Sequence, residues 1–306
     1  MFVYVIRRLL AGIPVLIGVS LITFILMNVV PGDPVSVSFE KRADPETIAR
    51  IRKEIGLDRP LPVQYVDFVW KAARGDLGKS FHNNESVSGM IGKFFPVTVR
   101  LALSAMAIAL LIGIPFGILA ALKKNTIIDY SATVTTLTFI SAPVFWVAIL
   151  AQLLFGYKLG WLPMSGYGSI SHMILPALVL GSRYAASITR YTRASMLDVL
   201  NQDYVRTARA KGLQERIVIW KHALKNAMVP LVTVIGLQVG GLMTGSILTE
   251  AVFGLPGLGQ LTVMGLDYRD FPVIEGTVLF TALIFVVANT VVDISYSLVD
   301  PRIRMS

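Results

Sequence analysis

Six apolar stretches, each about as long as a membrane-crossing helix, constrain the fold of this chain more than any other feature. They run over residues 9–30, 98–122, 133–157, 173–191, 229–250 and 276–298. A helix needs ~20 apolar residues to cross the ~30 Å hydrocarbon core of a bilayer, where every backbone polar group must be paired within the protein. Only 15% of the residues are charged, against about 25% in soluble domains. The sequence therefore predicts an all-α membrane protein with six transmembrane helices.

The first stretch begins like a secretory signal peptide, since Arg7 and Arg8 precede it. It is longer than the apolar core of a signal peptide, and it ends in VVPGDP without a small-x-small cleavage site. We therefore interpret residues 1–30 as a cytoplasmic N-terminus followed by a first transmembrane helix that is retained.

Lysine and arginine are distributed unequally between the connections, and short connections rich in them stay in the cytoplasm. One set of connections and termini contains Arg7, Arg8, Lys123, Lys124, the eight basic residues from Arg190 to Lys225, Arg302 and Arg304. The opposite short connections contain only Lys158 and Arg269. Both termini are thus predicted to be cytoplasmic. The net charge of +9 does not indicate a nucleic-acid partner, because the basic residues lie between apolar runs rather than on one soluble face.

The long connection over residues 31–97 is predicted to be external and helical. Asp44 and Pro45 form a helix start, and Gly56 stands where that helix would end. A second helix is expected from about Pro62 to Ala73. Two interpretations remain open: a small helical cap on the outer mouth, or a surface, from Asp33 to Phe95, that contacts an external partner.

Several kinds of chemistry lack their motif in this sequence. There is no G-x-x-x-x-G-K-[ST] loop to bind phosphates, and no G-x-S-x-G element. The three histidines are scattered, without the spacing of metal ligands. The glycine-rich stretch FGLPGLGQL at 253–261 follows an apolar helix, so we interpret it as a sharp fold-back at the outer mouth. We expect no catalytic activity, no metal and no bound cofactor in this chain.

Ionisable residues inside apolar runs are candidates for a translocation path. Arg183 interrupts the fourth run, and Asn289 and Asp293 share a face of the sixth. Each of them could instead hold helices together or reach the interface. We hypothesise that Arg183 faces a water-filled path or pairs with an acid such as Asp293.

The connection between the fourth and fifth runs is basic and rich in alanine. A short helix is predicted from Arg206 to Gly212, where the glycine ends it, and a second from about Gln214 to Ala227. The segment could be solvated cytoplasmic sequence, could bind anionic lipid, or could dock into a groove of another protein. Its alanines and glycine favour docking, since attraction to lipid needs only charge.

The sequence RTARAKG, followed by HALKNAMVP, resembles the "EAA" loop of binding-protein-dependent ABC transporter permeases of the peptide/nickel subfamily. The resemblance covers nearly the whole chain through VIRRLLAGIPVL, PGDP, GLDRPLPVQY, GDLGKSF, FPVTVRLAL, GSILTEAVFGLPGLGQL, RDFPVI and DPRIR. The Glu-Ala-Ala triplet of the wider superfamily falls on Arg206, Thr207 and Ala208. A role specific to that glutamate therefore does not carry over.

This resemblance implies a type I ABC importer permease fold in a bacterial inner membrane. The expected partners are a second permease, two ATPase subunits that use ATP and Mg, an extracytoplasmic solute-binding protein and membrane lipid. The permease core would span 98–306 and include a cytoplasmic coupling loop over about 193–228. The coupling residues would be Arg206, Thr207, Ala208, Arg209, Ala210, Lys211, Gly212 and Leu213.

Short peptides are the expected cargo, with nickel or glutathione as alternatives within the same machinery. The alternative from another class is an ion-coupled secondary transporter. Such a transporter would need paired carboxylates at the midplane and broken helices at an internal repeat, and neither is evident in the sequence.

Overall fold

The computed structural model describes residues 2–29, 53, 58–243 and 247–299, and within these ranges the regular structure is helical apart from one isolated bridge between Lys79 and Ser86. In chain order the helices are α1 (Phe2–Val29), α2 (Leu61–Ala72), α3 (Val87–Leu122), α4 (Ile127–Ser141), α5 (Val144–Lys158), α6 (Ile170–Leu200), α7 (Asp203–Ala210), α8 (Glu215–Met243), α9 (Ile247–Phe253), α10 (Leu258–Asp267) and α11 (Phe271–Val299). Two stretches are π-helical: the last seven residues of α5 and Val218–Ala223 of α8.

Helices α3 and α6 form the centre of the molecule and run in the same direction. Their 36 and 31 residues correspond to ~54 and ~46 Å at 1.5 Å per residue, longer than a bilayer core. Glycines allow the close approach: a Cβ on Gly117 would lie 2.4 Å from Cβ of Thr192, and one on Gly181 would lie 2.8 Å from the backbone oxygen of Ala105. Small residues at such contacts are typical of helix packing in membranes.

Helix α11 is packed between α1 and α8, antiparallel to both. A Cβ on Gly12 of α1 would overlap Val286 of α11, and Arg8 forms an ion pair with Asp293 at 3.1 Å. On the other side, Gly236 of α8 lies against Val292. The N-terminal half of α1 and the C-terminal half of α11 therefore lie at the same end of the bundle.

The third apolar run does not form the single straight span that was predicted over 133–157. It folds as α4 and α5, which meet at an angle of 103°. Pro143 has no backbone N–H, and the residue before a proline is pushed out of the helical region. Ala142 is accordingly extended, with φ −70° and ψ 133°, so the helix breaks there.

The fifth run also differs from its prediction over 229–250. Helix α8 begins at Glu215, so the predicted second elbow helix and the fifth span are one helix, which ends at Met243. The next residues described form α9, which is bent by 82° from α10. Gly254, at φ 61°, lies at this bend, which confirms the predicted fold-back.

By length and apolar composition, four described helical stretches are sufficient to cross a membrane: Ile6–Asn28, α3, α8 and Phe271–Ile294. Up to six spans result if each bent pair, α4 with α5 and α9 with α10, counts as one. The fourth predicted run folds as α6 but is not among these, because Arg183, His172 and several small polar residues lower its hydropathy. The six-helix prediction therefore stands as four to six candidate spans.

At the end of the bundle opposite Arg8, the described part of the long connection packs on the spans. Helix α2 lies within one residue of its predicted bounds, and Tyr65 on it approaches Ser20 of α1, with 3.0 Å between the hydroxyl oxygens, and packs on the ring of Phe24. Lys71 holds the pKa of Asp67 below its usual value through a hydrogen bond. The helix predicted from Asp44 lies outside the described residues.

Candidate coupling site

The predicted coupling segment folds as a compact elbow, defined here as residues 201–217. Helix α6 ends at Leu200, α7 follows, and α8 begins at Glu215. Gly212 has φ +74°, a left-handed conformation that favours glycine. The N–H of Lys211 donates to the oxygen of Thr207 at 3.0 Å, so the last turn of α7 is closed before the chain reverses. The prediction that Gly212 terminates a short helix is confirmed.

A small apolar core of its own holds the elbow on the transmembrane helices. Val205 and Val218 are fully buried, and Ala208 is 6% exposed between them. Val199 and Leu200 at the end of α6 pack against this cluster. The small side chain of Ala208 therefore serves packing inside the elbow, and a larger residue there would separate α7 from α8.

An ion pair closes the elbow across the glycine turn. The guanidinium of Arg209 donates to both carboxylate oxygens of Glu215, at 3.1 and 2.7 Å. This hydrogen bond to Glu215 raises the pKa of Arg209 above its usual value. Glu215 is about half exposed, and exposed pairs contribute ~0.2–1 kcal/mol, so the pair orients the turn more than it stabilises it.

The outer face of the elbow combines basic and apolar side chains. Apart from Ala208, every predicted coupling residue is exposed, including Thr207, Ala210 and Gly212. Large apolar side chains are exposed beside them: Tyr204, Leu213, Ile217 and Trp220. A surface with charged and apolar groups on a short helix suits docking into a protein groove.

Comparison with protein families identifies the class to which this chain belongs. A model described as the binding-protein-dependent transport system inner membrane component matches residues 113–305, and the corresponding N-terminal model matches residues 1–102. The chain belongs to this family of ABC importer permeases.

Three curated relatives cover almost the whole permease. The dipeptide transport system permease protein DppB of Alkalihalophilus pseudofirmus is 40% identical over 332 residues, with 99% of this chain and 100% of the relative covered. The di/tripeptide permease protein DppB of Pseudomonas aeruginosa is 40% identical, with 99% of each chain covered. The glutathione permease protein GsiC of Salmonella typhimurium is 43% identical, with 98% of each covered.

A solved structure of the MetNI methionine ABC transporter, described as inward facing, resembles the permease with a TM-score of 0.59. The match has 17% sequence identity and covers 69% of this chain and 96% of that one. At this identity the likeness concerns the fold alone. The family match identifies the chain as an inner membrane component of a binding-protein-dependent transport system.

The candidate path residues of the permease are not joined to one another. Asp293 pairs with Arg8, so the ion pair hypothesised between Arg183 and Asp293 is not formed. The amide oxygen of Asn289 faces Gly240 of α8 and lies 3.4 Å from the position that a Cβ on Gly240 would occupy. Arg183 is exposed halfway along α6, and no hydrogen bond or ion pair links it to a residue in the described ranges.

Two amide side chains in the middle of apolar runs hold helices together. Gln238 of α8 donates to Ser187 of α6 at 2.9 Å. Gln152 donates to the backbone oxygens of Met164 and Val252, at 2.6 and 3.0 Å, and so attaches the middle of α5 to α9. Within the ranges that the structure describes, no three histidine, aspartate or glutamate side chains come together as a potential metal site.

Sequence reasoning missed two buried carboxylates that organise the two ends of the bundle. Glu250 is fully buried and accepts hydrogen bonds from Thr98 and from the N–H groups of Gly259 and Gln260. At the other end Asp129 accepts two bonds from Arg193, at 2.5 and 2.8 Å. The available signal was an acid beside apolar sequence, since Glu250 is the last residue of the fifth apolar run and Asp129 lies four residues before the third.

Proposed function

We propose that this permease forms the translocation path for short peptides, and that its elbow transmits movement from an ATPase subunit. The observation that carries the cargo proposal is the 40% identity, over essentially the full length of both chains, to proteins named dipeptide and di/tripeptide permeases. A peptide carries an amine and a carboxylate, which a polar path between permease subunits can accept.

The arrangement of basic residues supports an orientation with both termini and the elbow in the cytoplasm. The Arg8–Asp293 pair, the Lys123–Lys124 connection and the elbow belong to the same end of the helices. The buried cluster that includes Ile118, Met196 and Ala223 joins α3, α6 and α8 at that end. Positive charge on short connections marks the cytoplasmic side.

The elbow is built to pass a displacement to the spans. Val205 in the elbow packs with Val218 of α8 and with the last residues of α6, and the final three residues of the elbow are the first turn of α8. An ATPase groove that holds Ala210 to Leu213 and moves on ATP binding would therefore tilt α6 and α8 together. Such rigid-body movement between inward-facing and outward-facing states is alternating access, with hydrolysis resetting it.

The remaining parts are assigned by the same reasoning. A second, homologous permease covers the exposed middle of α6 around Arg183 and completes the path, to which Asn289 and Asp293 are candidate contributors. The segment from Asp33 to Phe95 meets the solute-binding protein outside the membrane. Residues 1–30, 31–97 and 98–306 then act as anchor, external contact and permease core.

Glutathione is the second candidate cargo, because GsiC is 43% identical over 98% of both chains. It is itself a tripeptide, so the same path chemistry applies. Uptake into vesicles that contain the permease, its partner permease, the ATPases and the cognate binding protein separates the candidates. ATP-dependent entry of a labelled dipeptide supports the proposal. Entry of nickel or glutathione with no dipeptide entry refutes the peptide assignment, and uptake driven by a proton gradient without ATPases refutes the whole mechanism.

The elbow assignment has a clean cross-linking test, because the chain contains no cysteine. A single Ala210→Cys variant is expected to cross-link to a cysteine in the ATPase groove and to resist an impermeant thiol reagent added outside whole cells. Lys158→Cys, on the predicted outer side, is the matched control and is expected to react with that reagent. Modification of Ala210→Cys from outside, or no ATPase adduct in any nucleotide state, contradicts the assignment.

A further inference from the structure

A groove between α3, α4 and α6 is lined by none of the coupling residues and none of the candidate path residues. Its volume is about 400 Å³. Its walls include Ile112, Phe116, Leu119, Ile128, Phe139 and Thr189. The first four of these side chains are 39–55% exposed, so the groove is open to its surroundings along its length.

The groove presents hydrocarbon rather than hydrogen-bonding groups. It contains five hydroxyl-bearing residues, and four of them donate to the backbone of their own helix. Thr136 donates to Thr133, Ser182 to Val179 and Thr189 to Ala185, and Ser131 donates to Ile127. Their hydrogens are therefore used, and the walls present methyl and methylene groups to an occupant.

One end of the groove is basic. Helix α3 ends three residues after Leu119, and the next residues are the exposed Lys123 and Lys124. One turn beyond Thr189 lies Arg193, which binds Asp129 through Nε and Nη2, so the hydrogens of Nη1 remain available for another acceptor. Asp129 balances Arg193, which leaves the two lysines in excess at this end.

The combination favours a lipid over a protein helix as the occupant. Within a bilayer no hydrophobic force distinguishes a protein helix from a lipid tail, because the tails are as apolar as leucine. Recognition then depends on the charged end, where each Lys or Arg attracts anionic lipid by ~1 kcal/mol. A long apolar slot that ends in uncompensated positive charge matches a single acyl chain with a phosphate at its head.

We propose that this groove binds an anionic phospholipid, with one acyl chain along Phe116 and Ile128 and the phosphate at Lys124 and Nη1 of Arg193. The bound lipid fills the space between α4 and the α3–α6 pair. The proposal requires only that the chain spans a membrane, and it is independent of the cargo and of the elbow.

The test uses the assembled transporter in nanodiscs that contain a trace of photoactivatable lipid. Two probes carry the same diazirine acyl chain, one on phosphatidylglycerol and one on phosphatidylcholine. The phosphatidylglycerol probe is expected to label peptides covering 112–119 and 128–139 several-fold more than the phosphatidylcholine probe. Equal labelling by both probes would show only bulk lipid contact and would overturn the proposal.

Two variants with matched controls test the acyl-chain contact and the headgroup contact of the lipid separately. Ala132→Trp fills the groove and is expected to abolish this labelling, whereas Thr133→Trp, exposed on the same helix and outside the groove, retains it. Lys124→Gln is expected to lower phosphatidylglycerol labelling about fivefold, the factor equivalent to ~1 kcal/mol, and to leave phosphatidylcholine labelling unchanged. Lys158→Gln is its control.

If Ala132→Trp lowers the melting temperature of the protein, Lys124→Gln becomes the deciding variant. Undiminished phosphatidylglycerol labelling in Lys124→Gln overturns the headgroup assignment. A single Ala132→Cys variant examines the competing occupant: cross-linking of that cysteine to the second permease, with no lipid label in the groove, shows that a protein covers it and overturns the proposal.

Discussion

Substitution of Gly212 by alanine tests whether the shape of the elbow, rather than its charge, couples it to the ATPase. Gly212 has φ +74°, and no atom lies within 4 Å of where a Cβ would be. Alanine there meets no steric clash, so its only cost is the left-handed backbone, about 1–2 kcal/mol. The fraction of elbows that have the native turn then falls, and the apparent affinity for the ATPase falls by the same factor. We expect a loss of about tenfold, within the fivefold to thirtyfold range of that energy.

The assay is a titration of labelled ATPase onto the permease pair in nanodiscs. Gly160→Ala is the matched control, because Gly160 also has a left-handed φ, +64°, with open space around it. It lies in the connection between α5 and α6, and the ~46 Å length of α6 follows that connection before the chain reaches the elbow. Its backbone cost is the same, and its effect on ATPase affinity is expected to be nil.

A second substitution separates backbone strain from added bulk. Asparagine adopts the left-handed region more readily than alanine, so Gly212→Asn should recover part of the affinity despite its larger side chain. Wild-type affinity in Gly212→Ala, or an equal loss in Gly160→Ala, would refute the reasoning. A greater loss with asparagine than with alanine would show that contact with the groove, and not the turn, is limiting.

Three further predictions concern the buried contacts that hold the bundle, each measured as thermal stability of the purified protein. Asp129→Ala leaves the partly buried Arg193 without its carboxylate and should destabilise the protein by ~2 kcal/mol. Its control is Glu85→Ala, which removes the exposed partner of Lys93 and should cost under ~0.5 kcal/mol. Equal losses of stability would contradict the difference expected between a buried and an exposed ion pair. Gly117→Ala places a Cβ 2.4 Å from Thr192 and 2.7 Å from the oxygen of Thr189, and should cost about 1–2 kcal/mol by separating α3 from α6. Gly92→Ala, on the same helix with nothing within 4 Å, should be neutral or stabilising by up to about 1 kcal/mol; destabilisation by both would point to helix strain rather than packing. Glu250→Ala leaves the N–H groups of Gly259 and Gln260 without their acceptor and should cost about 3 kcal/mol of stability. Glu250→Gln should cost less, because its amide oxygen can still accept a hydrogen bond. Unchanged stability in Glu250→Ala would mean that water replaces the carboxylate.

Local signals predicted a large part of the fold. Helix α2 was found within one residue because a proline near its start and a compatible apolar face are features of the segment itself. Gly212 and the fold-back at Gly254 were likewise predictable, since a left-handed turn requires glycine whatever surrounds it. The break at Pro143 had a local cause too, but a proline inside an apolar run is tolerated in many membrane helices: Pro115 and Pro230 lie inside α3 and α8 without ending them.

The functional residues were predictable as a segment but not as individual roles. The stretch from Arg206 to Leu213 was found from its composition and its resemblance to a known loop. The burial of the Ala208 side chain was not predictable, because it depends on contact with Val218, which belongs to the next helix. Arg183 and Asp293 are both ionisable groups in apolar runs, and the sequence alone did not show that Asp293 pairs with Arg8 at the other end of the chain.

The sequence by itself determined the class of structure, because backbone groups in hydrocarbon must pair within a helix and long apolar runs have few alternatives. It also determined which end of the bundle is basic. Only the tertiary structure decided how the runs bend and which buried charges meet. Asp129 and Arg193 are 64 residues apart and Thr98 and Glu250 are 152 apart, so these contacts exist only after the helices have packed.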